Sequence, residues 1–401
     1  MTLYTSIYRR NIRQLKIFTY LCENIFKPEQ TRSMAELLKH IYNTSFFDTY
    51  SDALADVIPT FDKSIFLLSF HTAHWASLEL KQRMAFLAHT TAKILPVGYQ
   101  DKVKTILRLI EALRNRSVKD QNLEYIFLAD IIAEYGIDDL KTSLSAIEHI
   151  TQFVSFEFAG RAFIIRYPKE MMQQMVKWTK HNHENVRRYA SEGCRPRLPW
   201  GTKLAALVYD PSPCIPVLEK LMDDSSLYVR KSVANHLNDI SKDHPDLVVE
   251  YIKKWKDTSE NANWIIRHGA RTLLKNGNHE VLHIFGTSRD IAYNIENFHL
   301  EHNQLTQNDP LAFSFSVTNL SENEAMFRVE YNIWYVKAGG QYSKKIFKIA
   351  EKPILSHSKQ EFKKQHRFQD LTTRRHYGGI HKISIVVNGN ESEPLAFELK
   401  M

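Results

Sequence analysis

The chain has 401 residues, of which 43% are hydrophobic and 24% charged, a balance that excludes a disordered or fibrous protein and leaves room for two domains. No apolar run approaches the roughly 18 residues that a membrane helix needs. The three cysteines, Cys22, Cys194 and Cys214, form no CxxC pair, so a reducing compartment is expected, with no disulfide framework and no zinc or other metal site. The formal charge of +8 does not by itself name a nucleic acid as partner, because it is spread along the chain: residues 1–33 carry six Lys/Arg against two Asp/Glu, and residues 296–401 carry fourteen against twelve. Any such case must rest on local clustering.

Residues 1–33 read as an N-terminal extension. Arg9, Arg10, Arg13 and Lys16 stand in the first 22 residues without an acid, faintly like an organellar presequence. No uninterrupted apolar segment follows, which argues against a secretory signal. "MAELLKHIYN" from Met34 has the character of a natural start. From there to about residue 286 the periodicity is helical: in "SLELKQRMAFLAHTTAKIL", Leu78, Leu80, Met84, Leu87 and Ala88 recur at three- and four-residue steps. Breaks at Pro96–Gly98, Gly136, Pro168, Pro211–Pro213, Pro245 and Gly277 cut this region into helices of about 10–15 residues.

An internal repeat lies in its second half. "NVRRYASEG" (185–193), "YVRKSVANHL" (228–237) and "WIIRHGARTLL" (264–274) share a β-branched residue followed by Arg187, Arg230 or Arg267. Each follows a segment rich in Trp or Leu: "MMQQMVKWTK", "CIPVLEKLMDD" and "DLVVEYIKKW". A two-helix unit recurring near 40 residues predicts an all-α HEAT-like repeat solenoid over residues 34–294, its second helices lining a concave face.

Near residue 295 the period falls to two. Leu311, Phe313, Phe315 and Val317 alternate with small or polar residues, as do Phe327, Val329, Tyr331, Ile333 and Tyr335. "HKISIVVNGN" ends in an Asn-Gly hairpin signal. With "KKIFKI", "KQEFKKQHRF" and "LAFELK" this predicts about seven short strands and an immunoglobulin-like all-β sandwich over residues 295–401.

No GxGxxG, P-loop, HExxH, GxSxG or metal-spaced His/Cys cluster occurs, which removes most cofactor and nucleophile chemistries, and no cofactor is expected. What remains is a pair of carboxylates and a tryptophan. Glu157 in "SFEFAGRAFIIRY" and Glu192 in "YASEGCRPRLPW" lie about one repeat apart, so both are expected on second helices of adjacent units. Trp200 follows a proline-rich turn able to fold it back over the same channel. A plainer reading stands beside this one: Glu157 and Glu192 solvated, Trp200 a core anchor, and Arg230 bridging Asp223 or Asp224 within the stack.

"SFEFAGRAFI", "SEGCRPRLPW", "YVRKSVANHLNDISKDHPDLV" and "WIIRHGARTLLKNG" closely resemble the DNA alkylation-repair glycosylases of the AlkC type, over roughly residues 34–286 and in the family's order. "TTRRHYGGIHKISIVVNG" (372–389) resembles the C-terminal immunoglobulin-like domain of one subgroup. Gly160 and Ala162 depart from the pattern, standing where a bulky apolar residue and a proline are expected. The resemblance implies a monofunctional enzyme that cuts the N-glycosidic bond of cationic alkylated bases, 3-methyladenine and 3-methylcytosine, in duplex DNA. It places catalytic roles on Glu157, Glu192 and Trp200.

Candidate phosphate contacts are Arg161, Arg187, Arg188, Arg195, Arg197, Arg230, Lys231, Arg267, His268 and Arg271 on the helices. In the β domain Lys363, Lys364, Arg367, Arg374 and Arg375 are candidates for clamping DNA. Double-stranded DNA is the expected partner, the chain a cytoplasmic, nucleoid-associated monomer without membrane contact. The alternative is a non-catalytic HEAT scaffold that binds a nucleic acid or a protein, since many solenoids do only that.

Overall fold

The computed structural model describes residues 38–287, 290–307, 309–368 and 375–401. The N-terminal extension, with Cys22, and Arg374 lie outside the described residues. Helices succeed one another from Thr44–Val57 to His279–Ile284, and strands from Tyr293 onward. No helix among the described residues is long and apolar enough to cross a membrane.

The sequence breaks act as helix starts and stops. Pro168 and Pro245 open Pro168–Trp178 and Pro245–Trp255, where a missing N–H costs nothing. Asn43, Asp62, Thr72, Ser259 and Asn278 cap the helices that follow them, each side chain accepting a backbone N–H from the first turn. Pro168–Trp178 pairs with Glu184–Glu192, and Pro245–Trp255 with Glu260–Gly269. The three helices bearing the repeat strings, Glu184–Glu192, Leu227–Ile240 and Glu260–Gly269, pack on one another in that order. The β-branched residue that the strings share, Val186, Val229 or Ile266, is fully buried in each; the repeat is a core signature first.

Gly160 begins the helix Gly160–Arg166, and its close neighbour is Tyr189, whose hydroxyl oxygen would stand 2.0 Å from a Cβ added there. The large side chain at this contact therefore comes from the facing helix. Glycine at 160 is the counterpart of tyrosine at 189.

The C-terminal region is a two-sheet β domain. One sheet joins β1 (Tyr293–Leu300), β3 (Pro310–Asn319) and β6 (Lys359–Arg367) in the order β1-β3-β6. The other joins β2 (Gln304–Thr306), β4 (Ala325–Val336), β5 (Tyr342–Ile354), β7 (Gly379–Val387) and β9 (Leu395–Lys400) in the order β2-β9-β7-β4-β5, with β8 (Asn390–Glu391) paired to β7. Leu311, Phe313, Phe315 and Val317 from one sheet and Phe327, Val329, Tyr331, Ile333 and Tyr335 from the other are buried in a single core. Asn388 and Gly389 both have positive φ, 50° and 82°, and turn β7 into β8, the geometry a two-residue hairpin requires.

Strict alternation fails on β4. Arg328, Glu330 and Asn332 are buried too, in a strand that pairs with both β5 and β7. Arg328 Nη2 pairs with Glu330 at 2.5 Å, and Glu351 of β5 binds Lys348 at 2.5 Å and Arg328 at 3.4 Å. Arg267 of the helical region ends on the same Glu351, so this polar cluster joins the two regions.

A methyl group at residue 160 has no room unless Tyr189 moves. Gly160→Ala is expected to lower stability by about 1–3 kcal/mol, the usual cost of overpacking. In a Tyr189→Phe background, which lacks the colliding oxygen, the loss should be smaller, as read from denaturant midpoints of the four chains.

Candidate active site

The site is assembled from two helix faces. On Glu184–Glu192, Arg188 and Glu192 lie four residues apart, one above the other. On the neighbouring helix Leu227–Ile240, Tyr228 and Ser232 do the same, with His236 and Asp239 further along. Glu157 joins from outside either helix, in the turn between Leu140–Phe153 and Gly160–Arg166. Glu192 is the last residue of its helix, whereas Glu157, also expected on a helix, lies in a turn. Phe156 and Phe163 are fully buried on either side of that turn, which anchors it.

Arg188 links the two acids. Its Nη1 donates to Glu157 Oε2 and, at 3.0 Å, to Ser155 Oγ, which itself donates to Glu157 Oε2 at 2.6 Å. Its Nη2 lies 3.5 Å from Glu192 Oε1. The guanidinium also sits over the Tyr228 ring, 4.8 Å from its centroid, a cation–π contact. Glu192 is 5% exposed and fully engaged. Oε1 receives Arg195 Nη1 at 2.6 Å and Oε2 receives Ser232 Oγ at 2.6 Å. Burial alone would push its carboxyl up, but Arg188, Arg195 and the Ser232 hydroxyl outweigh burial and hold it below the usual carboxylate range.

Trp200 differs. It has φ +65°, a left-handed conformation that costs a non-glycine residue about 1–3 kcal/mol, and the residue is 54% exposed. Its backbone carbonyl accepts Lys81 Nζ at 2.8 Å. The turn behind it is closed by Gly201 N to Leu198 O and Leu204 N to Pro196 O, both 3.2 Å. Among the described residues no hydrogen bond or ring contact ties the indole to either carboxylate; the structure brings the acids together and leaves the tryptophan at the surface.

The arginines nominated for phosphates divide by burial. Arg161 is 1% exposed, and its three nitrogens donate to the carbonyls of Thr202, Gly193 and Arg195. Burial pushes its guanidinium down to about 10, still charged at pH 7. It is the strut that shapes the 193–202 turn, too deep to meet an external phosphate. Arg195 is likewise buried, between Glu192 and Asp239, Nε reaching Asp239 Oδ2 at 2.8 Å. Arg187 grips Asp224 through Nε and Nη2 at 2.7 and 3.1 Å. Arg230 caps the carbonyls of Asp224 and Ser225 at 2.8 Å rather than bridging a carboxylate. Arg267 is committed to Glu351, and Arg197 to Asp243 through two 2.6 Å contacts.

Lys231 and Arg375 are exposed. Arg271 donates to Asn235 at 2.9 Å. His268 stacks on Trp264 with centroids 5.0 Å apart. Burial, then Arg271 and Lys231, hold the His268 imidazole below its ordinary range, so it is neutral at pH 7.

Sequence reasoning missed Ser155, Tyr228, Ser232 and Asp239. Tyr228 and Ser232 stand in the repeat string "YVRKS" at the four-residue spacing that puts them on one face. That spacing was readable; the helix they face was not.

Residues 120–273 match the family model described as DNA alkylation repair enzyme, and residues 294–401 that of the YhaZ C-terminal Ig-like domain. The uncharacterized protein YhaZ of Bacillus subtilis (strain 168) is 38% identical over 362 residues, 90% of this chain and 99% of that protein. The structure of Pseudomonas fluorescens alkylpurine DNA glycosylase AlkC, bound to DNA containing an abasic site analog, superposes with a TM-score of 0.85. It is 34% identical, and the match covers 91% of this chain and 99% of that one. A helical repair-enzyme region followed by an Ig-like β domain, both shared with these relatives along nearly their whole length, makes this chain a member of the AlkC-type family of DNA alkylation-repair N-glycosylases.

Proposed function

We propose that this enzyme hydrolyses the N-glycosidic bond of cationic alkylated bases, 3-methyladenine and 3-methylcytosine, in duplex DNA. The observation that carries the reading is the sharing of one guanidinium, Arg188, by Glu157 and Glu192. A base methylated at N3 already bears positive charge, so it leaves without a strong general acid. As the bond lengthens, the deoxyribose becomes oxocarbenium-like, and a preorganised carboxylate opposes that charge while a second orients or deprotonates water. Glu157, more open than Glu192, takes the sugar, and Glu192 the water. The exposed Trp200 indole offers a π face to the cationic base, worth about 0.5–2 kcal/mol. Arg188 holds both acids in place before DNA arrives. No lysine nucleophile is needed, and β-lyase activity is not expected.

The helical region, residues 34–294, is read as a HEAT-like solenoid whose stacked second helices face the duplex. The β domain, residues 295–401, is read as a clamp. Phosphate contacts fall to Lys231, His268 and Arg271 on the helices and to Lys363, Lys364, Arg367 and Arg375 on the β domain, with Arg197 at the rim. Arg187 and Arg230 tie segments of the helical region, Arg267 ties that region to the β domain, and Arg161 and Arg195 shape the site from within.

Incubation with methylated duplex DNA followed by chromatography of released bases tests the reaction. Glu157→Gln and Glu192→Gln should each bind DNA nearly as the parent does but excise at least about 100-fold more slowly, the scale of one lost electrostatic stabiliser. Undiminished excision in both variants, or no base released by the parent, ends the proposal.

Acid should weaken the fold through Glu192. Its folded pKa lies below the unfolded value, so its contribution is complete above about pH 4.3 and is lost as pH falls through the depressed value. Glu192→Gln should therefore be less stable than the parent at pH 7, with the gap narrowing toward pH 3 in denaturant titrations. A gap that does not change with pH would contradict this.

A further inference from the structure

Behind the active-site turn, Cys194, Cys214 and His236 form a closed cluster that the glycosylase chemistry does not use. All three are fully buried, and the two Sγ atoms and a ring nitrogen of the histidine lie within 4.8 Å of one another. They arrive from three segments: the turn after Glu192, the short 3-10 helix Ser212–Cys214, and the middle of Leu227–Ile240. Both cysteines are free thiols.

The histidine is already set in the orientation of a ligand. Its Nδ1 lies 3.0 Å from the Ser191 carbonyl, and a carbonyl only accepts, so Nδ1 carries the hydrogen. Nε2 is left with its lone pair, and it is buried facing the thiols with no hydrogen-bond partner outside the cluster. An imidazole whose far nitrogen donates to a backbone carbonyl is the arrangement that fixes the tautomer of metal-binding histidines.

We propose that Cys194, Cys214 and His236 bind one soft monovalent metal ion, Cu(I), in three-coordinate geometry. Thiolate ligands select Cu(I) and zinc among biological metals. Structural zinc takes four protein ligands, and catalytic zinc takes three and an open position for water or substrate. This cluster offers neither, since no Asp or Glu of the described residues joins the three and none of the three reaches the surface. Charge points the same way. Arg161 brackets Cys194 by donating to the Gly193 and Arg195 carbonyls, and its hydrogen-bond partners are all carbonyls. Two thiolates with Cu⁺ leave one negative charge to face that guanidinium; with Zn²⁺ they leave none. Metal–sulfur bonds of about 2.3 Å put trigonal ligands about 4 Å apart, a small contraction of the present cluster. On binding, the two thiols release their protons to solvent.

The test uses the full chain with Cys22→Ala, so that the remaining thiol does not contribute, reduced and titrated anaerobically with Cu(I) against a bicinchoninate competitor. One equivalent should be retained, with near-ultraviolet copper–thiolate absorption and a raised Tm. Cys214→Ala in the same background should lose the absorption and the Tm rise, and its circular dichroism reports whether it folds. Should it not fold, His236→Gln serves as the second ligand deletion and should weaken retention at least tenfold. Equal retention by the parent and a folded deletion variant, or none by the parent, overturns the site. Retention of Zn(II) in preference to Cu(I) overturns the monovalent assignment.

Discussion

Two carboxylates, both largely withdrawn from water, are tolerated at one end of this helix stack because a single guanidinium lies between them. Arg188 is itself deeply enclosed, and burial would lower its pKa were it not for Glu192 and Glu157, which raise it. The three charges depend on one another. Removing one member of such a buried set leaves an uncompensated charge, at a cost of about 3–5 kcal/mol. Ser155 and Ser232 complete the acceptor shells of the acids, and the Tyr228 ring covers the guanidinium face. Each of the three charged side chains is thus held by the others and by a neighbouring hydroxyl or ring.

A second guanidinium shapes the turn that carries Trp200. Arg161 ties three carbonyls of residues 193–202 from inside, while Lys81 holds the Trp200 carbonyl from the surface. Together they maintain a left-handed tryptophan, a strained residue presented outward. Strain of this kind persists only where the surroundings over-determine it. The turn leaves the helix directly after Glu192, so acid and aromatic share one short, doubly anchored segment.

Much of the chain's basic character is spent within the fold. Arg187 and Asp224, Arg195 and Asp239, Arg197 and Asp243, and Arg267 and Glu351 are ion pairs between separate segments. The first three tie successive parts of the helical region, and the last ties it to the β domain. Net charge therefore overstates the positive charge left free at the surface, where Lys231 and Arg375 are exposed.

Local pattern was enough for some features. Period and punctuation announced helices to about residue 286 and strands beyond, breaks at Pro168 and Pro245, and the Asn388-Gly389 hairpin, because these depend on backbone preferences a few residues long. Glu157 and Glu192 were singled out by the resemblance of the strings around them to the family's motifs, not by local spacing. Tertiary structure decided the rest. Glu157 lies in a turn rather than on a helix, Arg161 points inward, and Arg188 reaches two acids at once, each fixed by neighbours more than thirty residues away along the chain. Cys194, Cys214 and His236 have no telling spacing, and only the packing of three segments makes them neighbours. A side chain's partner across a helix interface is set by rotation and register, which no local spacing encodes.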